Sequence, residues 1–309
     1  MKRGKASNNV MACVNRLAVI LAALLTGCLM AIAASPGPDA PPLVPGEKLT
    51  YSVTWSVFPA GEVRAELQRA GDGPADYYRA VTTARSHGFV SLLYNLDDEF
   101  RSRFSSGTIC AESISKRVNE GRRRKQTQIV FDSARQLAVL DEHNLSKPGE
   151  PPKHDEHPIP ACVQDVVSAF YFLRTQPLTV GSRILMPLND GGETTEVSVE
   201  VQAREEIDTP QGRRWAFRLE PTVFGKLYKR KGQMLIWISD DAERLPLRIK
   251  AMMSVGTITG TLESVFGPPR IGTPSSPPAT QGAQGRLSSG ADRTSRDDVN
   301  SSPKSADPQ

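Results

Sequence analysis

Several groups of side chains in this sequence have types and spacing that could do chemistry. Leu25-Thr26-Gly27-Cys28 closes an apolar run, and a small-residue pair before a cysteine is the pattern at which bacteria acylate that cysteine. Cys110 and Cys162 are the two cysteines beyond it, an even pair that could bridge. His143, His154 and His157 stand near Asp155 and Glu156, and imidazole with carboxylate suits zinc. Pro151, Pro152 and Pro158 flank the last two histidines, so no helix would align them; the set reads as a solvated Pro-rich loop with no metal. Asp165, Asp240 and Asp241, with Arg174 and Arg244, could act as acid and base or simply form ion pairs. Nothing in the chain supplies a nucleophile, an oxyanion hole or a phosphate loop to work with them, so the expectation is a non-enzyme without cofactor.

Two further groups point to binding. Tyr51, Trp55, Phe170, Tyr171, Trp215 and Trp237 could line an apolar pocket or pack a solid core. Tyr51, Trp55, Phe170, Tyr171 and Trp237 are the expected ligand-binding set. Arg122-Arg123-Arg124-Lys125 is the densest basic run and follows Gly121, as a hairpin end would. It could meet anionic lipid head groups, or serve as a charged turn that protects a sheet edge.

The elements that must position these groups read mainly as strands. From Lys48 to Val57, Leu49, Tyr51, Val53, Trp55 and Val57 alternate with Thr50, Ser52, Thr54 and Ser56, the period-two pattern of a half-buried strand. Pro59-Ala60-Gly61 is a turn, and Val63, Ala65 and Leu67 continue the alternation, so the opening is a hairpin. The pattern returns at Val197 to Val201, at Trp215 to Leu219, around Leu247 and Ile249, and from Ile258 to Leu262. Gln233 to Ile238 is apolar on both faces and should be covered. Asp165 to Arg174 is the exception: an acid at its start, a base at its end and apolar residues around most of the circumference describe a buried helix. Gly88 to Tyr94 is a second, shorter helical piece. The expected fold is a mainly β domain, a large curved antiparallel sheet or closed barrel of about ten strands with one buried or lid helix.

Composition sets the compartment. Lys2, Arg3, Lys5 and Arg16 precede and flank an apolar stretch from Leu17 to Leu25, too short to span a bilayer but of signal-peptide length. Residues 1–34 are therefore expected to be a signal peptide, ending in acylation at Cys28 or in ordinary cleavage near Ala31-Ile32-Ala33-Ala34. The 27 residues before Cys28 carry four basic and no acidic side chains, which accounts for the whole-chain net charge of +4. The mature chain is near neutral, so the apparent basicity is a targeting feature and gives only weak support for nucleic-acid binding, which needs a localised basic face. Residues 35–45 form a Pro-rich linker, 46–266 the β-rich domain, and 267–309, without an aromatic residue, a disordered tail.

Several stretches resemble one bacterial family. Gly46-Glu47-Lys48-Leu49-Thr50-Tyr51-Ser52-Val53-Thr54-Trp55 with Gly61, Asn119-Glu120-Gly121, the run Gln164 to Arg174 with Gly181, and Trp237-Ile238-Ser239-Asp240-Asp241 with Arg244-Leu245-Pro246 and Gly256 are similar, in order and spacing, to domain-of-unknown-function family 3108. The resemblance implies a single β-rich domain of the cell envelope and brings no reaction with it. Such domains also look like the curved sheet-plus-helix carriers of the lipoprotein-localisation type.

Together these readings give an exported envelope protein, periplasmic and either soluble or lipid-anchored, that binds a hydrophobic or lipid-like ligand in a β-barrel cavity. Its partners would be that ligand, a membrane surface if Cys28 is acylated, and no nucleic acid. The alternatives are a structural or interaction protein of the envelope without a ligand, and a hydrolase of an envelope polymer. An integral outer-membrane barrel fits less well with an apolar internal helix and a hydrophilic C-terminus.

Overall fold

The computed structural model describes residues 43–71, 76–224 and 231–268. The signal segment, Cys28, the linker up to residue 42 and the tail from residue 269 lie outside them. No helix among the described residues is long and apolar enough to cross a membrane.

Alternating side chains from Lys48 to Phe266 build one antiparallel sheet of fourteen strands. In chain order these are β1 (Lys48–Trp55), β2 (Phe58–Ala70), β3 (Tyr77–Ser86), β4 (Asp97–Ser105), β5 (Ala111–Glu120), β6 (Arg123–Asp132), β7 (Leu137–Asn144), β8 (Lys153–Pro158), β9 (Arg183–Leu188), β10 (Thr195–Thr209), β11 (Gly212–Pro221), β12 (Gly232–Ser239), β13 (Pro246–Met253) and β14 (Gly256–Phe266). Two helices, α1 (Gly88–Leu93) and α2 (Ser168–Thr175), interrupt them. The spatial order is β8-β7-β6-β5-β4-β3-β2-β1-β14-β13-β12-β11-β10-β9. Two meanders thus meet where the first strand pairs with the last, with β8 and β9 as the outer edges.

The sheet curves around α2. Val167 and Tyr171 pack with Leu67, Phe104, Ile114, Ile129 and Leu140 of the first meander. Ala169 and Leu173 pack with Val197, Val199, Leu219 and Ile236 of the second. One short helix therefore touches both halves, which is why almost its whole circumference is apolar or buried. The outward face of the sheet carries pairs such as Arg64 with Glu62 and Arg101 with Glu99, so the apolar side is the inner one.

Three expectations need correction. There are fourteen strands rather than about ten, because several strands of the first meander place polar side chains on the inner face and blur the alternation. Residues 153–158 are not a loop but the edge strand β8, paired with β7 from Glu142↔Lys153 to Leu137↔Pro158. Its prolines stand at and beyond the strand ends, where they break no central ladder, and its charges blunt a free edge. The buried helix begins at Ser168 rather than Asp165 because Asp165 caps it. Its carboxylate accepts from the amides of Val167 and Ser168 at 2.7 and 2.9 Å, while its own amide donates to Ser168 Oγ at 2.9 Å.

The segment leading into α2 holds the two edges together. Ala111 N–H donates to Val163 O, Gln164 N–H to Pro187 O, and Asn189 N–H back to Gln164 O. Cys110 and Cys162 are joined by a disulfide with Cα atoms 5.1 Å apart, which ties this segment to the β4–β5 connection. Gly61 sits at the bulge of the first hairpin. A Cβ there would meet Arg85 O at 2.2 Å, so only glycine allows β3 to approach.

Candidate functional site

Curvature around a single helix does not fill the interior. A cavity of about 1080 Å³ remains between α2 and the inner faces of both meanders. That is slightly above the roughly 300–1,000 Å³ usual for small-molecule sites. Its apolar wall comes from β1, β2, β13 and β14: Leu49, Val53, Val63, Ala65, Ile249, Ala251, Met253 and Ile258. Alternation aims these residues inward, and neighbouring strands bring them into one surface.

The opposite wall is polar. Lys116, Arg123, Lys125 and Lys153 line it with Glu120, Glu142 and Asp190, one more positive than negative charge. Lys116 pairs with Asp190, and its Nζ also donates to the Asp190 carbonyl at 3.2 Å. Asp190 belongs to the β9–β10 turn, which reaches the inner face of β5–β7; a Cβ on the adjacent Gly191 would meet Leu140 and Ile129. Lys125 pairs with Glu142, which also accepts from Thr127 Oγ1 at 3.2 Å. Burial alone would raise the Glu142 carboxyl, but Lys125 and Thr127 beside it hold it below the usual carboxylate range.

Behind α2 lies a buried ion pair. Arg174 Nη1 and Nη2 donate to the two Glu47 oxygens at 2.6 and 2.9 Å, with both side chains almost fully buried. Burial opposes the Arg174 charge, but the Glu47 carboxylate outweighs it and raises the guanidinium further. Burial pushes the phenols of Tyr51 and Tyr171 up strongly, so both stay neutral. Tyr51 donates to Pro246 O at 2.9 Å.

The expected ligand-binding residues divide. Tyr51, Phe170 and Tyr171 line the cavity. Trp55 and Trp237 do not. Trp55 donates from Nε1 to Val255 O at the end of the first hairpin. Trp237 points to the opposite face from Ile236 and Ile238, donates to Glu205 Oε1 at 2.7 Å and is approached by Arg248. Trp215 is half exposed under the Arg204 guanidinium.

The charged residues singled out in the sequence do not gather into one site. Asp165 is fully buried, capping α2 and accepting from Ser102 Oγ at 2.6 Å; burial pushes its carboxyl up against these donors. Asp240 pairs with Arg204, and Asp241 with Arg214. Arg244 lies over the Phe217 ring. His154 pairs with Asp141 on the β7–β8 edge, and His157 stands 4.0 Å from Asp155. Lys116 and Lys153 escaped the sequence reading, Lys125 entered it only as the end of the basic run, and Glu47 only within the family resemblance. Glu47 directly precedes the first alternating strand, and Lys116 and Lys125 occupy inward positions within theirs; that parity was the available signal.

No curated protein matches the chain. Two solved structures are similar to it in outline. One is a beta-barrel-like protein of domain of unknown function DUF1849 from Brucella abortus, at 9% identity and TM-score 0.47, covering 73% of this chain and 99% of that one. The other is a protein from Bacteroides fragilis, inferred to be exported and of YmcC-like fold, at 11% identity and TM-score 0.34, covering 73% of this chain and 97% of that one. Residues 50–263, nearly the whole of the described sheet, match the family model for proteins of unknown function DUF3108, and the chain belongs to that family.

Proposed function

We propose that this chain is an exported envelope protein that holds an amphiphile in the cavity around α2, apolar chain against β1, β2, β13 and β14 and anionic head against Lys116 and Lys125. The observation that carries the reading is the division of one large cavity into an apolar wall and a lysine-bearing wall. A fully apolar void would suit packing alone, and a wholly polar cleft would suit a sugar or peptide. The leader with its Leu25-Thr26-Gly27-Cys28 pattern supports delivery to the envelope, free or acylated at Cys28. Asp165 and Asp241 are engaged in caps and ion pairs, which supports binding rather than hydrolysis.

Native mass spectrometry of protein purified gently from its own envelope is the test. A bound lipid or fatty acid, retained by the parent and lost from a Lys116→Met, Lys125→Met double variant of unchanged stability, is expected. In titration with a fluorescent fatty acid the same variant should bind at least about tenfold more weakly, since the loss of a single charge-assisted contact already costs about that much and both lysines are removed. A protein that is empty and fails to take up the fatty acid would remove the reading and leave a scaffold.

A further inference from the structure

One end of the sheet carries a surface that the cavity reading does not use. Five connections lie side by side there. Trp55 Nε1 donates to Val255 O at 3.0 Å, joining the β13–β14 turn to the first hairpin. His87 N–H donates to Ala60 O at 3.0 Å, joining that hairpin to α1, and Gly121 N–H donates to Asn95 O at 2.7 Å, joining the residues after α1 to the β5–β6 turn. Ser146 Oγ donates to Arg122 O at 2.7 Å, joining the β5–β6 turn to β7–β8.

This rim is apolar where turns are usually polar. Val57 is 81% exposed, Phe89 64%, Leu92 83%, Leu93 62% and Val255 65%. Only Val90 of α1 is buried, so the helix presents its large side chains outward. Scattered exposed hydrophobic residues need no explanation, but a contiguous set marks an interaction surface. Beside it stand the exposed Arg122 and Arg124, with no carboxylate within ion-pair distance among the described residues. The rim also borders the cavity: Arg123, Met253 and Ile258 belong to both.

We propose that this rim docks on an anionic lipid bilayer. α1 and the neighbouring turns enter the boundary between head groups and acyl chains, and Arg122 and Arg124 meet lipid phosphates. Apolar side chains flanked by unpaired cations are the composition of an interfacial anchor. A protein partner would need carboxylates to match both arginines beside an apolar socket; an anionic bilayer supplies the two together over its whole area. Docking in this way would bring the cavity to the membrane without requiring that the cavity be filled.

The experiment is vesicle flotation of the protein carrying Cys28→Ser, so that no acyl chain contributes. Vesicles are phosphatidylcholine alone or mixed with phosphatidylglycerol. Association with the mixed vesicles only, weakened by salt, is expected. A Phe89→Asp, Leu92→Asp variant should lose about tenfold or more of that association. Arg122→Ser and Arg124→Ser should each lose about fivefold. All these positions are exposed, so thermal midpoints should not move. No flotation, or flotation undiminished in these variants, overturns the proposal. So does a crosslink from α1 to a second copy, to another protein or to this chain's own N-terminal segment in the absence of flotation. An Ala251→Trp variant, which occupies the cavity, should float like the parent, so the docking and ligand proposals fail separately.

Discussion

Asp98 is the residue whose environment most directly predicts a pH response. It is buried at the start of β4 and accepts from the Asn119 amide at 2.8 Å. Burial pushes its carboxyl up to about 6, with Glu120 and Asp97 adding to the effect and the Asn119 amide opposing it. An unfolded aspartate titrates near 3.9. The folded value is the higher one, so protonation favours the fold: the contribution is complete below about pH 4 and is lost as pH rises through about 6. Asp98→Asn keeps the acceptor and removes the charge. It should raise the unfolding free energy at neutral pH by no more than about 3 kcal/mol and flatten the pH profile between those values. Equilibrium unfolding at a series of pH values checks this, and a parent profile without that slope would refute it. Arg174 is the opposite case, a buried charge already matched. Arg174→Met leaves the Glu47 carboxylate without its bidentate partner, and denaturant unfolding should show a loss of about 3–5 kcal/mol. Adding Glu47→Gln should recover part of the loss, which a purely steric fault at residue 174 would not allow.

At the scale of elements, the segment from Ile159 to Val167 does more than connect β8 to α2. It pairs with β9 at Gln164↔Leu188 and, through Cys162, is fastened to the β4–β5 connection. The disulfide closes a sequence separation of 52, for which the chain-entropy estimate is about 4 kcal/mol. Reduction, or the Cys110→Ser, Cys162→Ser variant, should therefore lower the unfolding free energy measured in denaturant by an amount of that order. Proteolysis near residues 159–167 should accelerate first, since this segment is the one released. A reduced protein as stable as the oxidised one would show that the Ala111–Val163 and Gln164–Pro187 hydrogen bonds hold the segment alone. β8 carries a different lesson. Its His-Asp-Glu-His sequence looks like a ligand set, but its pairing with β7 spreads those side chains along an edge, where His154 meets Asp141 instead.

At the scale of the whole described domain, a curved sheet wraps one helix and leaves the cavity between them. Ala251 lies on the apolar wall, and Ala251→Trp should fill part of that volume. If the cavity serves a ligand, the substitution should abolish uptake of a fluorescent fatty acid while leaving the thermal midpoint unchanged or raised, because empty space is being occupied. If the space serves no ligand, the same variant should retain whatever activity is measured in its native envelope. A strongly lowered midpoint would mean that the cavity is smaller in solution than its walls indicate.

Local pattern was sufficient for much of this. Alternation around Tyr51 and Val199, the acid-to-base helix from Asp165 to Arg174, the apolar run at Ile236 and the family resemblance are all short-range properties, and the mainly β sheet with a buried helix followed from them. Strand parity also announces which side chains share a face, though not what that face meets. Tertiary structure alone decided the rest. Trp55 and Trp237 read as pocket residues because aromatic type reveals neither how far along a strand the enclosed space extends, which leaves out Trp55, nor which side of a sheet faces it, which leaves out Trp237. The Glu47–Arg174 pair joins residues 127 positions apart, and Lys116 meets Asp190 across 74. No local signal selects such partners; they are set by how fourteen strands curve around one helix, which depends on the volumes packed at every inner position together.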